Sequence, residues 1–457
     1  MKIYTYLLIA SIFLNTSCKN TAEDQQKSEI DSNDKTIQKL EGEALLDTVE
    51  SQTLKYFWDY AEPNSGLARE RFHPDGNYPL NDQNIITTGG SGFGLMALIA
   101  GIDRKFIPRE EGIKRLDKIA DFLAKADRYH GAWSHWIDGE TGKTQPFGQK
   151  DNGGDLVETS FLAQGFIVIR EYLKNGTDQE KAVAAKYDEL WKGIDWNWYT
   201  NNKDVLYWHW SPDYKWEMNF PLEGYNETLI TYIMAAASPT HSISADAYHK
   251  GWARNGAIVS HNSKYGLPLI LKHNYAEEFG GPLFWAHYSY LGLNPKGLSD
   301  EYADYWELNK NHVMIDYLYC VKNPNQFEGY GENVWGLTAS YTKEKDGSIG
   351  YTAHSPNNDR GVISPTAAIS SIPYTPKQSL AAMSYFYNEL NDLTWGPAGF
   401  YDAFSLVGED WVAPQYLAID QGPMVVMIEN YRSGLIWDLF MGADEVKQGL
   451  DKLGFKY

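Results

Sequence analysis

One all-α domain, its helices closed into a toroid or stacked as a solenoid, is the fold class this sequence predicts, on three observations. Apolar residues recur at three- and four-residue steps in stretch after stretch from about residue 40 onward. Strand-like alternation is scarce and local, clearest where Leu206, Trp208 and Trp210 alternate with Tyr207 and His209. Length alone would allow about three domains, yet no linker, low-complexity tract or composition break follows residue 40. The eight regularly spaced apolar strands of a parallel β/α barrel are not seen.

The first element is an export signal over residues 1–17, MKIYTYLLIASIFLNTS. Lys2 precedes an apolar run from Tyr4 to Leu14, shorter than the roughly 20 apolar residues that cross a bilayer. Small residues Thr16 and Ser17 lead into Cys18, which resembles the lipidated cysteine of a bacterial lipoprotein, with Asn15 departing from the usual Leu. A lipid on Cys18 anchors a chain to a membrane without spanning it. Lys19 in place of Asp favours the outer membrane or periplasm of a Gram-negative cell. Residues 18–39 are polar, cannot bury enough surface to offset ordering, and read as a flexible tether ahead of a folded domain at 40–457.

Within that domain Leu45, Val49, Leu54 and Phe57 trace one face of a first helix. Phe93, Leu95, Met96, Leu98 and Ile99 belong to a second, with Gly89 and Gly90 just ahead. Pro108 opens a third, in which Ile113, Leu116, Ile119, Phe122 and Leu123 repeat. Further helical stretches are predicted at about 155–175, 178–195, 224–237, 242–256, 300–322, 376–391 and 415–440, many joined by short Gly-, Pro- and Asn-rich connections.

Composition narrows the function. A formal net charge of −20 repels polyanions, so nucleic acid is not an expected partner. Two cysteines, Cys18 and Cys320, provide neither a disulfide framework nor a Cys-rich metal site. No HExxH, Walker loop, dinucleotide fingerprint or GxSxG elbow occurs, so no metal and no cofactor are expected. His73, His130, His135, His209 and His287 are scattered and read as hydrogen-bonded structural residues; Asn357, Asn358 and Asp359 read as a turn. Aromatic residues make up 14% of the chain, enough for a core and for a groove that grips sugar rings.

Chemistry is sought in the polar loops between helices. In QKDNGGDLVETSFLAQG, 149–165, Asp155 and Glu158 fall at i, i+3 on one helical face with Asp151 just above the helix start. Taken by itself, this stretch is better accounted for by Asp155 and Glu158 capping the helix. In NFPLEGYNETLITYIM, 219–234, Glu227 leads into an apolar helix, where desolvation raises a carboxyl pKa as a general acid requires. The alternative is a solvated first-turn Glu favoured by the helix dipole. Trp133, Trp136 and Trp216, on loops beside these acids, are candidates for sugar stacking. Asp402 and Asp420 lie beside Gly or aromatic residues at expected helix entries, where capping is again the competing account.

WDYAEPNSGLARER at 58–71, TTGGSGFGLMAL at 87–98, DNGGDLVETSFLAQG at 151–165 and GYNETLITYIMA at 224–235 resemble the bacterial glucoamylase-like domain. So do GPLFWAHYSYLGL at 281–293, NVWGLTAS at 333–340 and IDQGPMVVMIENYRSG at 419–434. Within that group the chain is similar to glycoside hydrolase family 144, the bacterial β-1,2-glucanases. The resemblance implies an (α/α)6 toroid of six inner and six outer helices with a groove at one end. It also implies inverting hydrolysis of β-1,2-linked glucose chains, endo-acting or releasing short sophoro-oligosaccharides.

The family's acids match Asp151, Asp155, Glu158 and Glu227. On this footing Glu227 is the expected general acid and Asp420 the expected base, with Asp402 and Asp151 as rivals for the latter. An inverting pair stands about 6.5–9.5 Å apart. Asp155 and Glu158 are expected to hold sugar hydroxyls while capping their helix, and Asp402 and Tyr225 join Trp133, Trp136 and Trp216 in the expected substrate-binding set. The expected partner is a neutral glucan oligosaccharide or polysaccharide, the expected state a monomer. A lipid-anchored glycan-binding protein without catalysis, as in polysaccharide uptake, is the competing class. A polysaccharide lyase is disfavoured, because it needs Arg and Lys around a uronic acid.

Overall fold

A computed structural model describes residues 39–457 apart from residue 345. The export signal, Cys18 and nearly all of the expected tether lie outside the described residues. In chain order the helices are α1 (Gly42–Trp58), α2 (Thr88–Asp103), α3 (Arg109–Leu123), α4 (Leu156–Leu173), α5 (Asp178–Lys192) and α6 (Leu229–Ala237). They continue with α7 (Tyr305–Lys322), α8 (Pro365–Ile369), α9 (Pro376–Asn388), α10 (Asn391–Thr394), α11 (Ala418–Arg432), α12 (Leu435–Gly442) and α13 (Asp444–Lys452). No described helix is long and apolar enough to cross a membrane.

Two kinds of helix alternate along the chain. α1, α3 and α5 each bury one stripe, such as Ile113, Leu116, Ile119 and Leu123 of α3, and leave the other face in water. α5 starts on a reciprocal capping box between Thr177 and Glu180. α2, α4, α6 and α11 are buried nearly all round. These four pack on one another, α2 against α4 and α11 and α4 against α6, while α1 covers α11, α5 covers α4 and α13 covers α6.

The closest of these contacts depends on glycine. A Cβ on Gly92 of α2 would stand 2.2 Å from the Phe161 carbonyl oxygen of α4, and one on Gly165 would stand 2.8 Å from the Gly92 carbonyl oxygen. The run TTGGSGFG is thus the start of α2 itself, and not a linker ahead of it, because small residues let two buried helices touch through their backbones.

Three stretches differ from expectation. Residues 242–256 form a short π-type turn, Ala247–Trp252, followed by a 3-10 turn, Arg254–Gly256, in which Asn255 is left-handed. The segment 415–440 is broken at Gly434, φ 76°, into α11 and α12. Helix α6 begins at Leu229, so Glu227 stands ahead of it in the loop. The alternating segment 206–210 contributes only a two-residue strand, His209–Trp210.

What this architecture does for function is visible at the helix starts. Thr87, Glu158, Glu227, Leu417 and Ile419 all line one cleft, and they sit at the N-terminal ends of α2, α4, α6 and α11. Free N–H groups and the positive ends of four helix dipoles therefore face a common space, where acidic side chains gather.

Candidate active site

The cleft encloses about 530 Å³. Its walls come from the helix starts, from Trp136 and Phe147 in the loops before α4, from Trp208, and from a hairpin formed by Ala339–Lys343 and Ile349–Ala353 that contributes Tyr341 and Tyr351.

Glu227 is held by its neighbours before any substrate arrives. Ser289 Oγ donates to the Glu227 carbonyl at 2.5 Å and accepts from Ile230 N–H at 3.1 Å, a side-chain staple across the entry to α6. Asn226 Oδ1 accepts from Thr228 N–H at 3.0 Å and Thr228 Oγ1 at 2.7 Å, which fixes the preceding turn. Burial pushes the Glu227 carboxyl up to about 7, and the charge of Asp155 adds to the effect.

Glu158 faces the same cleft from the first turn of α4. Gly89 N–H of α2 donates to its Oε2 at 2.7 Å, and a Cβ on Gly89 would stand 2.5 Å from that oxygen, so only glycine admits the bond. Burial nevertheless pushes Glu158 up to about 7, opposed by the positive charge of His135. Asp155 is the N-cap of α4, its Oδ1 accepting from Glu158 N–H at 2.9 Å.

The other oxygen of Asp155 gathers three nitrogens. His135 Nδ1 lies at 3.0 Å, Trp208 Nε1 donates at 3.1 Å, and His209 Nε2 lies at 3.4 Å while also reaching Asp151 at 3.2 Å. Strand pairing of Gly154–Asp155 with His209–Trp210 places His209 opposite Asp155. Burial by itself would lower both imidazoles. The charge of Glu158 and the bond to Asp155 instead raise His135 to about 10, and bonds to Asp151 and Asp155 raise His209 to about 9. The two histidines in turn hold Asp155 well below the usual carboxylate range despite its burial. His135, Asp151 and Asp155 bring possible metal-ligand atoms within 4.8 Å of one another.

Asp402 and Asp420 meet behind the cleft wall, beside Tyr341 and Ile419, and neither lines the cleft itself. Each is 2% exposed. Asp402 Oδ2 accepts from Tyr341 N–H at 2.8 Å. Asp402 Oδ1 and Asp420 Oδ2 are both enclosed with no hydrogen-bond partner. Burial raises both acids, Asp402 to about 6, and the neighbouring Asp402 and Glu70 charges raise Asp420 further. Two enclosed carboxyls so placed hold one proton between them and carry one negative charge.

The structure separates the expected site residues. Trp136, Glu158 and Glu227 line the cleft, Asp151 lines an adjoining hollow that shares His135, Phe147 and Trp208 with it, and Asp155, Asp402 and Asp420, expected at the substrate, are buried and line neither. Trp133, expected to stack on sugar, is fully buried, its indole N–H donating to Leu123 O at 3.2 Å. Tyr225, also expected at the substrate, is fully buried, its hydroxyl donating to Trp285 O at 3.2 Å or Asn309 Oδ1 at 3.1 Å. Both fill core, because an aromatic whose polar handle is satisfied inside has no face left for a ligand. Trp216 packs among Trp198, Tyr199 and Tyr207, outside the cleft lining.

Glu70, Arg71, Tyr341 and Tyr351 also stand in the cleft wall although nothing in the sequence pointed to them as site residues, and His135 and His209 meet on Asp155. Arg71 ion-pairs with Asp82 at 2.7 Å and sits 5.7 Å from the Trp136 ring centre. The one trace of Glu70 and Arg71 is their place at the end of the block at 58–71; the two histidines carry none.

Comparison with known proteins adds to this geometry. Residues 219–444 match the Glycoamylase family model, described as "Putative glucoamylase". An endo-β-1,2-glucanase from Chitinophaga pinensis, solved with sophorotriose and glucose, is 61% identical with a TM-score of 0.89, covering 92% of this chain and 99% of that one. A β-1,2-glucanase structure from Parabacteroides distasonis is 44% identical with a TM-score of 0.84, covering 90% of this chain and 60% of that one. An exo-β-1,2-glucooligosaccharide sophorohydrolase acting at the non-reducing end, from the same organism, is 45% identical over 92% of this chain. The chain spans 59% of the length of that curated relative.

Proposed function

The chain belongs to the bacterial glucoamylase-like family, among the β-1,2-glucanases of glycoside hydrolase family 144, and from that premise we propose that it hydrolyses β-1,2-linked glucose chains by inverting acid/base catalysis within an (α/α)6 toroid. The carrying observation is a desolvated carboxyl on the cleft with a second, paired carboxyl site buried just behind its wall. Glu227 is desolvated to about 7, and Asp420 is joined to Asp402 with one shared charge.

In this mechanism Glu227 gives its proton to the departing glycosidic oxygen. A water on the opposite face of the sugar attacks C1, and its proton passes to the Asp420–Asp402 pair, which ends with a proton on each carboxyl. The product then has the inverted configuration. Asp155, locked by three nitrogens, serves as a rigid base on which Glu158, Trp208 and His135 are oriented toward the sugar. Trp136, Phe147 and Trp208 supply apolar faces for the ring.

Turnover requires the aspartate pair to have lost a proton and Glu227 to have kept one. The kcat/KM is therefore expected to rise through about pH 6 as the pair ionises and to fall above about pH 7 as Glu227 ionises. A profile on soluble β-1,2-glucan that continues to climb above pH 8 would remove Glu227 from the acid role.

Incubation with linear β-1,2-glucan tests the activity itself. Release of new reducing ends is expected, with none from α-1,4-glucan; tight binding without release would favour the glycan-binding alternative. Export and lipidation at Cys18 complete the proposal, supported by the apolar run Tyr4–Leu14 and the small residues before Cys18. Cys18→Ser is expected to move the protein from the membrane fraction of the expressing cell to the soluble one.

A further inference from the structure

Beyond Trp208 and Phe220, away from the acids, lies a second recess of about 410 Å³. Phe220, Glu223, Arg254, Lys272, Asn274 and Tyr275 line it. Folding does not account for what is found there. Tyr275 holds φ at 60°, a left-handed conformation that bulky side chains avoid, and its ring is 98% exposed. Backbone strain and an aromatic face in water, with no packing in return, mark a residue kept for something other than stability. Phe220 is 43% exposed on the same recess, and it stacks on Trp208 at 5.2 Å and 7°.

The polar groups between these rings are donors and acceptors in balance. Lys272 Nζ donates to Ala257 O at 2.9 Å, and Arg254 lies 3.7 Å from Glu223. With Glu277 as a second acid, two cations face two anions, which suits a neutral polar ligand better than an ion. Exposed aromatic faces at the rim with amide, ammonium and guanidinium donors between them match a pyranose, which presents C–H faces and a girdle of hydroxyls.

Position connects this recess to the cleft. The loop Phe220–Asn226 forms one wall of it and runs directly into Glu227. Asn274 Nδ2 donates to Glu223 O at 2.8 Å, and Gly224, φ 78°, leaves room for that amide, since a Cβ there would stand 2.3 Å from Asn274 Oδ1. Tyr225 bridges to His273 in the same contact. Trp208 lines both cavities.

We propose that this recess is a second sugar-binding site, taking glucosyl units of the same chain beyond those held in the catalytic cleft, with Tyr275 as the residue that sets preference for longer chains. The inference rests on the glucan-hydrolase reading above.

The test compares steady-state kinetics on β-1,2-glucooligosaccharides of increasing length for the wild type, Tyr275→Gly and Tyr275→Phe. Tyr275→Gly relieves the left-handed strain, so its Tm should hold or rise. Its KM for long chains should rise about five- to tenfold, the scale of losing one aromatic face. Its kcat, and its KM for the shortest substrate, should stay unchanged, and Tyr275→Phe should behave as wild type. Lys272→Ala should show the same length-dependent loss. An unchanged long-chain KM in Tyr275→Gly, or an equal rise at every length, overturns the inference. Should the wild type prove unable to hydrolyse these chains, the hydrolase reading fails separately. Calorimetric binding of the same length series then decides the recess: length-dependent weakening in Tyr275→Gly supports it, and equal or absent binding in both proteins refutes it.

Discussion

Glu227→Gln is expected to lower kcat on β-1,2-glucan by about 10²- to 10⁴-fold, the range a positioned general acid contributes. Gln keeps the shape of the side chain and leaves the Ser289 staple on the Glu227 carbonyl intact, so the thermal transition should move little. It removes only the proton that burial keeps on the carboxyl near neutrality. Two readouts separate this from a structural effect. A sophoroside with a nitrophenolate leaving group needs no protonation and should be cleaved by the variant far better than the natural chain. The alkaline fall of the pH profile, which reports Glu227 in this account, should disappear. If the variant retains wild-type turnover on glucan, Glu227 is not the acid.

Asp420→Asn is expected to be nearly as damaging, lowering kcat by about 10²- to 10³-fold. The amide preserves the packing against Asp402 at the start of α11 but can no longer take up a proton. Asp402 does not take over, because Tyr341 N–H holds one of its oxygens and the other is enclosed. Azide attacks without needing a base, so adding it should restore cleavage in Asp420→Asn and yield the α-glucosyl azide, with Glu227 still protonating the leaving oxygen. Absence of rescue together with a lowered Tm would assign Asp420 to structure instead.

The amphipathic helices were legible in the sequence because a single stripe leaves a periodic mark, as Ile113, Leu116, Ile119 and Leu123 do in α3. The all-round burial of α2 was not, since a run of glycines reads as a loop until a partner helix is placed against it. At the site, residues in one helix start were legible: Asp155 and Glu158 share a turn, and Glu227 borders an apolar helix. Contacts made across the chain carried no local signature. His135 and His209 meet only through the pairing of two-residue strands, and Asp402 meets Asp420 only because a loop folds against the start of α11. Trp133 and Tyr225 show the converse limit. An aromatic beside an acid in sequence turns its face inward as readily as outward, and burial decides which.

The shared proton also bears on why so many acids coexist here. Glu70, Glu158, Glu227, Asp402 and Asp420 gather near one cleft, and full ionisation of all of them would be costly. Four helix N-termini and the two histidines offset part of this charge, and the raised values of Glu158, Glu227 and the aspartate pair lower it further by favouring the protonated forms.

The most direct measurement follows the anomeric protons of the first products by NMR during digestion of linear β-1,2-glucan, before mutarotation equilibrates them. With Glu227 as acid and the Asp402–Asp420 pair acting through water, the newly formed reducing ends should be α-anomers at the outset and relax to the equilibrium mixture. New ends that are β-anomers at the outset would require a covalent intermediate and contradict the account.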